Sequence, residues 1–210
     1  ISRLAARGTV FDNAYTSSPL CAPARASFLA GMLCPDINAF DNGAEFPASV
    51  PTIAHYLRSL GYKTSLIGKM HCIGPDQLHG FEERLTTDIY PANFSWTANW
   101  DAALNEPSPA GATVRPILEA GPCIRSMQMD YDEEVSNKSL QKLYDLARDP
   151  NDQKPFFVVS SFTHPHPPFT IHQKYWDMYD HDEIDMPKVA EIPLKEKDVG
   201  SQYLYFSHQY

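Results

Sequence analysis

The chain has 210 residues, 43% of them hydrophobic, with 18 prolines and 10 glycines, which is enough for one globular core. A formal net charge of −9 and the lack of a basic run argue against nucleic acid, whose phosphates call for clustered Lys and Arg. Acidity suits a cationic or neutral ligand better, and no apolar stretch approaches membrane-spanning length.

The chain opens in a helical pattern, with Ile1, Leu4 and Ala5 on one face and Gly8 placed to end it. An opening without methionine in mid-helix, and an end at Tyr210 without a terminator, predict an internal piece of a longer protein. Residues 9–15 alternate as a short strand. A helix follows over about residues 23–32, and Pro23 suits its first turn. Cys21 then sits at the helix mouth, where free N–H groups and the positive dipole end favour oxyanions. Residues 35–50 read as a polar loop. Pro51 starts a second helix, carried by Ile53, Ala54, Leu57 and Leu60 at helical spacing and capped by Gly61.

Residues 63–67 read as a buried strand that Gly68 breaks at its carboxyl end. Residues 74–125 are rich in Pro, Gly, Asn and aromatics, and read as a functional excursion rather than scaffold. A third helix is predicted over 132–148, with acids at its start and Asp149-Pro150 as its stop. Residues 156–162 are a continuous apolar run of the kind buried on both faces of a sheet. Helices alternating with buried strands predict an α/β fold whose sheet is covered on both sides. Sites in such sheets form beyond the carboxyl ends of strands.

Several polar clusters fall at such ends. Cys21 beside Arg25 at a helix mouth pairs a nucleophile with a fork suited to a sulfate or phosphate ester; the plain alternative is a structural cysteine beside a surface arginine. Lys69 and His71 flank one residue after the first buried strand, so in extended chain they point the same way. They suit an oxyanion and a proton transfer, or else are a solvated lysine and a loop histidine. His164 and His166 lie in a proline-stiffened turn after the second strand, and two histidines alone are too few for zinc. Asp41-Asn42-Gly43 is a turn signal. The stretch from Tyr90 to Trp100 lacks core periodicity, and its tryptophans can cage a quaternary ammonium group. Cys21, Cys34, Cys72 and Cys123 have no C-x-x-C or zinc spacing, which reads as reduced thiols in a cytoplasmic protein. No signal peptide is visible.

The spacing Cys21-x-Pro23-x-Arg25, followed by Leu29-Ala30-Gly31, resembles the signature of the formylglycine-dependent sulfatases. Ala24 stands where serine is commoner in that family, which bears on how the modifying enzyme reads the site. The order also matches: the cysteine motif, then Gly68-Lys69-Met70-His71, then a histidine–proline loop after a strand. Residues 68–91, the His164-Pro165-His166 loop, Tyr175-Trp176-Asp177 and Asp185-Met186-Pro187 resemble the choline-sulfatase branch. The resemblance covers nearly all 210 residues. It implies an alkaline-phosphatase-like α/β fold, a mixed and largely parallel sheet sandwiched by helices and incomplete at both ends. Residues 1–210 are then part of one catalytic domain whose N-terminal strand and C-terminal portion lie elsewhere.

The roles that follow are those the resemblance implies. Cys21 becomes the formylglycine nucleophile and a metal ligand, Arg25 steadies it, and Lys69 holds sulfate oxygens. His71 takes a proton as the covalent sulfate breaks down, and His166 protonates the bridging oxygen. Asn42, Trp96 and His164 are expected on the substrate, with Trp96 facing the trimethylammonium group. The cofactors are formylglycine derived from Cys21 and a divalent metal, calcium in many relatives, whose remaining ligands lie outside this chain. The 210 residues alone are therefore expected neither to hold the ion nor to turn over substrate. The partners are choline sulfate and a formylglycine-generating or equivalent maturation enzyme, with a homo-oligomer compatible with the full-length protein. The competing readings are an aryl sulfatase or phosphonate monoester hydrolase of the same superfamily, and a non-catalytic relative that binds choline-like cations.

Overall fold

Residues 1–97, 99, 101, 115–148 and 153–207 are described by a computed structural model. The helix stop expected at Asp149 and Pro150, and Trp100 of the aromatic stretch, lie outside the described residues. In chain order the elements are α1 (Ser2–Ala5), α2 (Cys21–Ala30), α3 (Cys34–Ile37), α4 (Ile53–Ser59), β1 (Lys63–Gly68) and β2 (Glu83–Arg84). Then come a 3-10 turn at Phe94–Trp96, α5 (Arg115–Leu118), β3 (Gly121–Pro122), α6 (Met127–Arg148), β4 (Phe156–Ser161), β5 (Thr170–Ile171), α7 (Gln173–Trp176) and α8 (Val199–Ser207).

β1 lies between β2 and β4, and β3 pairs with β5. Each pairing among the described residues is parallel, so the sheet is not mixed there. The register sets Leu66 against Val159 and Gly68 against Ser161. Successive side chains of β1 point to opposite faces. Leu66 therefore joins one core with Ala26, Leu29, Ile37, Ala54 and Phe81, which α2, α3 and α4 help to build. Ile67 joins a second core with Tyr131 and Val135 of α6. The β4 side chains divide likewise, Phe157 and Val159 to the first core and Val158 to the second. The sheet is thus covered on both faces, as the alternation of elements predicted.

Several local expectations change. Residues 9–15 form no strand: Val10, Phe11 and Tyr15 are exposed, and among the described residues nothing pairs with them. Alternation makes a strand only where a neighbour accepts its ladder bonds. α1 is a single turn that ends at Ala6, not Gly8. Helix α2 begins at Cys21, ahead of Pro23, and stops at Gly31 in the left-handed region. Pro51 precedes α4, because Thr52 is its N-cap and donates its own N–H to His55 Nδ1. Helix α6 starts five residues before the acids at Asp132. β4 is half-buried rather than buried, with Phe156 exposed, since nothing described pairs with its outer edge. The 74–125 segment carries scaffold as well as site, because β2 extends the sheet.

Candidate active site

The carboxyl ends of β1 and β4 and the mouth of α2 converge on Cys21. Lys69 Nζ lies 3.7 Å from Cys21 Sγ, and His166 Nε2 lies 4.0 Å from it. Arg25, one turn further along α2, donates Nη1 to the Lys69 carbonyl at 2.8 Å and to Ser161 Oγ at 3.0 Å. That fork ties the helix to both strand ends. Asn42 Oδ1 accepts from the Ala22 N–H at 3.0 Å, satisfying one of the orphan donors of the helix mouth.

The turn after β1 is forced. Gly68 has φ 98, and a Cβ there would meet the Ser161 carbonyl oxygen at 2.0 Å. His71 has φ 55, which a histidine seldom adopts. One carboxylate holds this backbone: Asp88 Oδ2 accepts from Met70 N at 2.9 Å and His71 N at 2.6 Å, and pairs with Arg84 Nη2 at 2.5 Å. Burial alone would raise the Asp88 carboxyl, but these donors outweigh it and hold it below its ordinary range. Lys69 and His71 thus meet the cysteine through a left-handed turn, not through the extended chain that their spacing suggested.

Both side chains are buried. Burial lowers the Lys69 ammonium below its ordinary range, opposed by the Cys21 sulfur beside it, and its Nζ lies 4.3 Å from the centre of the Tyr90 ring. The His71 ring packs edge-on against Trp96 at 5.5 Å and tilted against Tyr90 at 5.2 Å. Neither of its ring nitrogens makes a normal hydrogen bond among the described residues. The ring still stands close enough to Cys21 to favour the thiolate. The thiol itself is pulled down to about 5, by His166 first and His71 next, with Lys69 adding and burial opposing.

Trp96 reaches this wall because Gly43 lets the backbones touch: a Cβ on Gly43 would lie 2.2 Å from the Thr97 nitrogen. Asp41 Oδ1 accepts from Gly43 N at 2.8 Å and fixes that turn. His166 faces the cysteine from the β4–β5 loop. Its Nδ1 lies 3.0 Å from both the Pro167 carbonyl and the Tyr90 hydroxyl. The carbonyl can only accept, so Nδ1 carries a hydrogen and Nε2 is the atom turned to Cys21. His164 is not part of this cluster. Its Nδ1 meets Asp132 Oδ2 at 2.6 Å and its Nε2 meets the Thr170 carbonyl at 3.0 Å.

The family model described as Sulfatase matches residues 1–204. The chain belongs to the sulfatase family. It is 48% identical over 212 residues to a protein named choline-sulfatase from Rhizobium meliloti (strain 1021), covering 100% of this chain and 41% of that relative. An uncharacterized sulfatase, YidJ, of Escherichia coli (strain K12) is 28% identical over 206 residues, covering 94% of this chain and 39% of that one. This sulfatase chain therefore spans about two fifths of the length of the curated relatives it matches. A solved phosphonate monoester hydrolase from Silicibacter pomeroyi aligns with a TM-score of 0.52 at 22% identity, over 85% of this chain and 38% of that one. That likeness extends to the fold, the α/β class expected from the sequence.

The site fits a converted Cys21 and does not by itself fit the metal. Lys69, His71 and His166 surround the side chain with nitrogen groups suited to a hydroxylated, charge-bearing centre. A hard cation needs several oxygen ligands. Among the described residues no group of three or more His, Cys, Asp or Glu is placed to hold one. No helix of the described sulfatase chain is long and apolar enough to cross a membrane, and all four cysteines are free.

Sequence reasoning missed Tyr90, Asp88, Ser161 and Asp132. Tyr90 stood in the aromatic stretch, but its contact with His166 spans 76 positions. The available signal for Asp88 was a carboxylate soon after a glycine turn carrying two consecutive N–H groups.

Proposed function

We propose that the full-length protein is a sulfuric ester hydrolase that cleaves choline sulfate to choline and sulfate. The observation that carries this reading is the convergence of Lys69, His71 and His166 on Cys21 beneath the Tyr90–Trp96 wall. The 48% identity to a choline-sulfatase supports the choice of ester.

Converted to formylglycine, the Cys21 side chain would supply, as its hydrate, one hydroxyl to attack sulfur and a second whose deprotonation releases sulfate. The chain's other groups have separate tasks. Lys69 Nζ holds a sulfate oxygen in a water-poor setting, where a fixed charge acts strongly. Arg25 keeps α2 and the two strand ends in place beneath the nucleophile. His71, whose ring stands beside Cys21, takes the proton given up as sulfate leaves. In its doubly protonated form, His166 gives its Nε2 proton to the bridging oxygen while its Nδ1–H remains on the Pro167 carbonyl. Choline is a poor leaving alcohol, so this acid is worth roughly 10²–10⁴ in rate.

Asn42 sits at the sulfate end of the helix mouth. The Trp96 face receives the trimethylammonium group by cation–π attraction, with Tyr90 beside it. His164 supports the loop instead of touching the ester. A divalent cation, calcium in this reading, would take the converted Cys21 as one ligand and draw the others from outside the described residues. Residues 1–210 belong to a single catalytic domain in this reading. A maturation enzyme, a cytoplasmic setting and homo-oligomerisation of the full-length protein complete the reading.

The test is a comparison of kcat/KM for choline sulfate, 4-nitrophenyl sulfate and a phosphonate monoester with the full-length protein. Choline sulfate is expected to be preferred. Preference for the aryl ester or the phosphonate would overturn the choice of substrate, and failure to cleave any of them would overturn the enzyme.

A further inference from the structure

We propose that Asp132 and His164 form a positioning unit that sets His166 Nε2 against the leaving group. The inference rests on the reading of His166 as the acid that protonates the departing alcohol.

The unit begins on α6. Tyr131 and Val135 flank Asp132 and are buried against Ile67 of β1, while the Tyr131 hydroxyl donates to the Thr87 carbonyl at 2.7 Å. Asp132 therefore has a fixed origin relative to the sheet. Its carboxylate accepts from Thr163 N at 2.6 Å and His164 N at 3.0 Å, the second and third residues past the end of β4 at Ser161. The same carboxylate meets His164 Nδ1. The other side of that ring reaches the Thr170 carbonyl, at the start of β5. His164 is thus a strut across the base of the β4–β5 loop, and His166 lies within the span it closes. The His166 N–H donates to the Thr163 carbonyl at 3.1 Å, so the clasped residue is also the one on which His166 hangs.

The adjacent strand shows the same device. Asp88 takes the N–H groups of Met70 and His71 at the end of β1, as Asp132 takes those of Thr163 and His164 at the end of β4. The register sets the two strand ends, Gly68 and Ser161, side by side, and each pair follows within three residues. One carboxylate sets the base-side histidine, and the other sets the acid-side loop. Asp132 and His164 are not catalytic residues, because neither reaches Cys21. They act through His166.

Leaving-group dependence separates positioning from mere support. An alkyl ester such as choline sulfate needs a proton at its bridging oxygen, and 4-nitrophenol leaves without one. The full-length protein carrying Asp132→Asn, and separately His164→Gln, is assayed on both esters. The expected result is a fall of roughly 10- to 100-fold in kcat for choline sulfate, a change of less than about threefold for 4-nitrophenyl sulfate, and KM values held within about twofold. In a His166→Ala background, Asp132→Asn is expected to add almost nothing, because the pair acts through one residue. Equal losses on both esters, or a further tenfold loss in the His166→Ala background, would overturn the proposal. If Asp132→Asn does not fold, His164→Gln and its double variant with His166→Ala carry the same test. If the wild type prefers another alkyl ester, the ratio is read on that ester, so an error in the substrate is distinguished from an error here.

Discussion

Gly68 and Ser161 meet at the ends of adjacent parallel strands so closely that a single added carbon on Gly68 would lie 2.0 Å from the Ser161 carbonyl oxygen. That approach lets Lys69 N bond to the same carbonyl at 2.9 Å, and it brings Ser161 Oγ within reach of Arg25. Gly68→Ala adds a left-handed penalty of about 1–2 kcal/mol to a backbone clash. The variant is expected to melt several degrees lower and to lose most activity, checked by thermal unfolding beside turnover.

Asp88 supports the other half of the turn. Removing it leaves the buried Arg84 guanidinium and two N–H groups unpaired, so Asp88→Ala is expected to cost about 3–5 kcal/mol. The folded-state pKa lies below the ordinary value of 3.8. The charged form's contribution is therefore complete above that value and is lost as pH falls through the lower, folded one. Thermal melts of wild type and Asp88→Asn are expected to differ at neutral pH and to converge on acidification below about pH 4.

As the unmodified thiol, Cys21 is expected to ionise well below neutral pH. Its thiol falls from an ordinary 9.0 to about 5, chiefly through His166. In protein whose Cys21 is the unmodified thiol, alkylation by iodoacetamide is expected to rise through pH of about 5 and to level off by neutrality. The stabilisation that goes with this shift is present above 9 and fades as pH drops through about 5. His166→Ala is expected to move the alkylation midpoint upward, since it removes the largest cause.

Trp96 bounds the space beside His71 and Tyr90. Trp96→Ala is expected to raise KM for choline sulfate by about tenfold while leaving kcat on an aryl sulfate near the wild-type value. Equal effects on both esters would assign Trp96 to packing of His71 instead.

Local signals carried much of the fold. Pro23 and the helical spacing after it placed Cys21 at a helix mouth, and the apolar runs of β1 and β4 between helices announced an α/β sheet covered on both sides. The site was legible where chemistry and backbone coincide in a few residues, as in Cys21-x-Pro23-x-Arg25 and Lys69-x-His71. It was not legible where a distant side chain holds the backbone. Asp88 acts on residues 17 and 18 positions away, and Asp132 on residues 31 and 32 positions away. Neither stands out from the acids of a solvated surface. His164 is a like case: expected on the substrate beside His166, it bonds to Asp132 and Thr170 across the loop base, contacts that its place in the sequence does not announce. Residues 9–15 misled because alternation alone says nothing of a pairing neighbour.

The most direct test of the account is sulfate release from choline sulfate by the full-length protein, wild type against Cys21→Ala, with peptide mass spectrometry at position 21 of the wild type. The account predicts a side chain that has lost its sulfur, and hydrolysis that vanishes with the alanine. An intact thiol in active protein, or undiminished hydrolysis by the alanine variant, would contradict it.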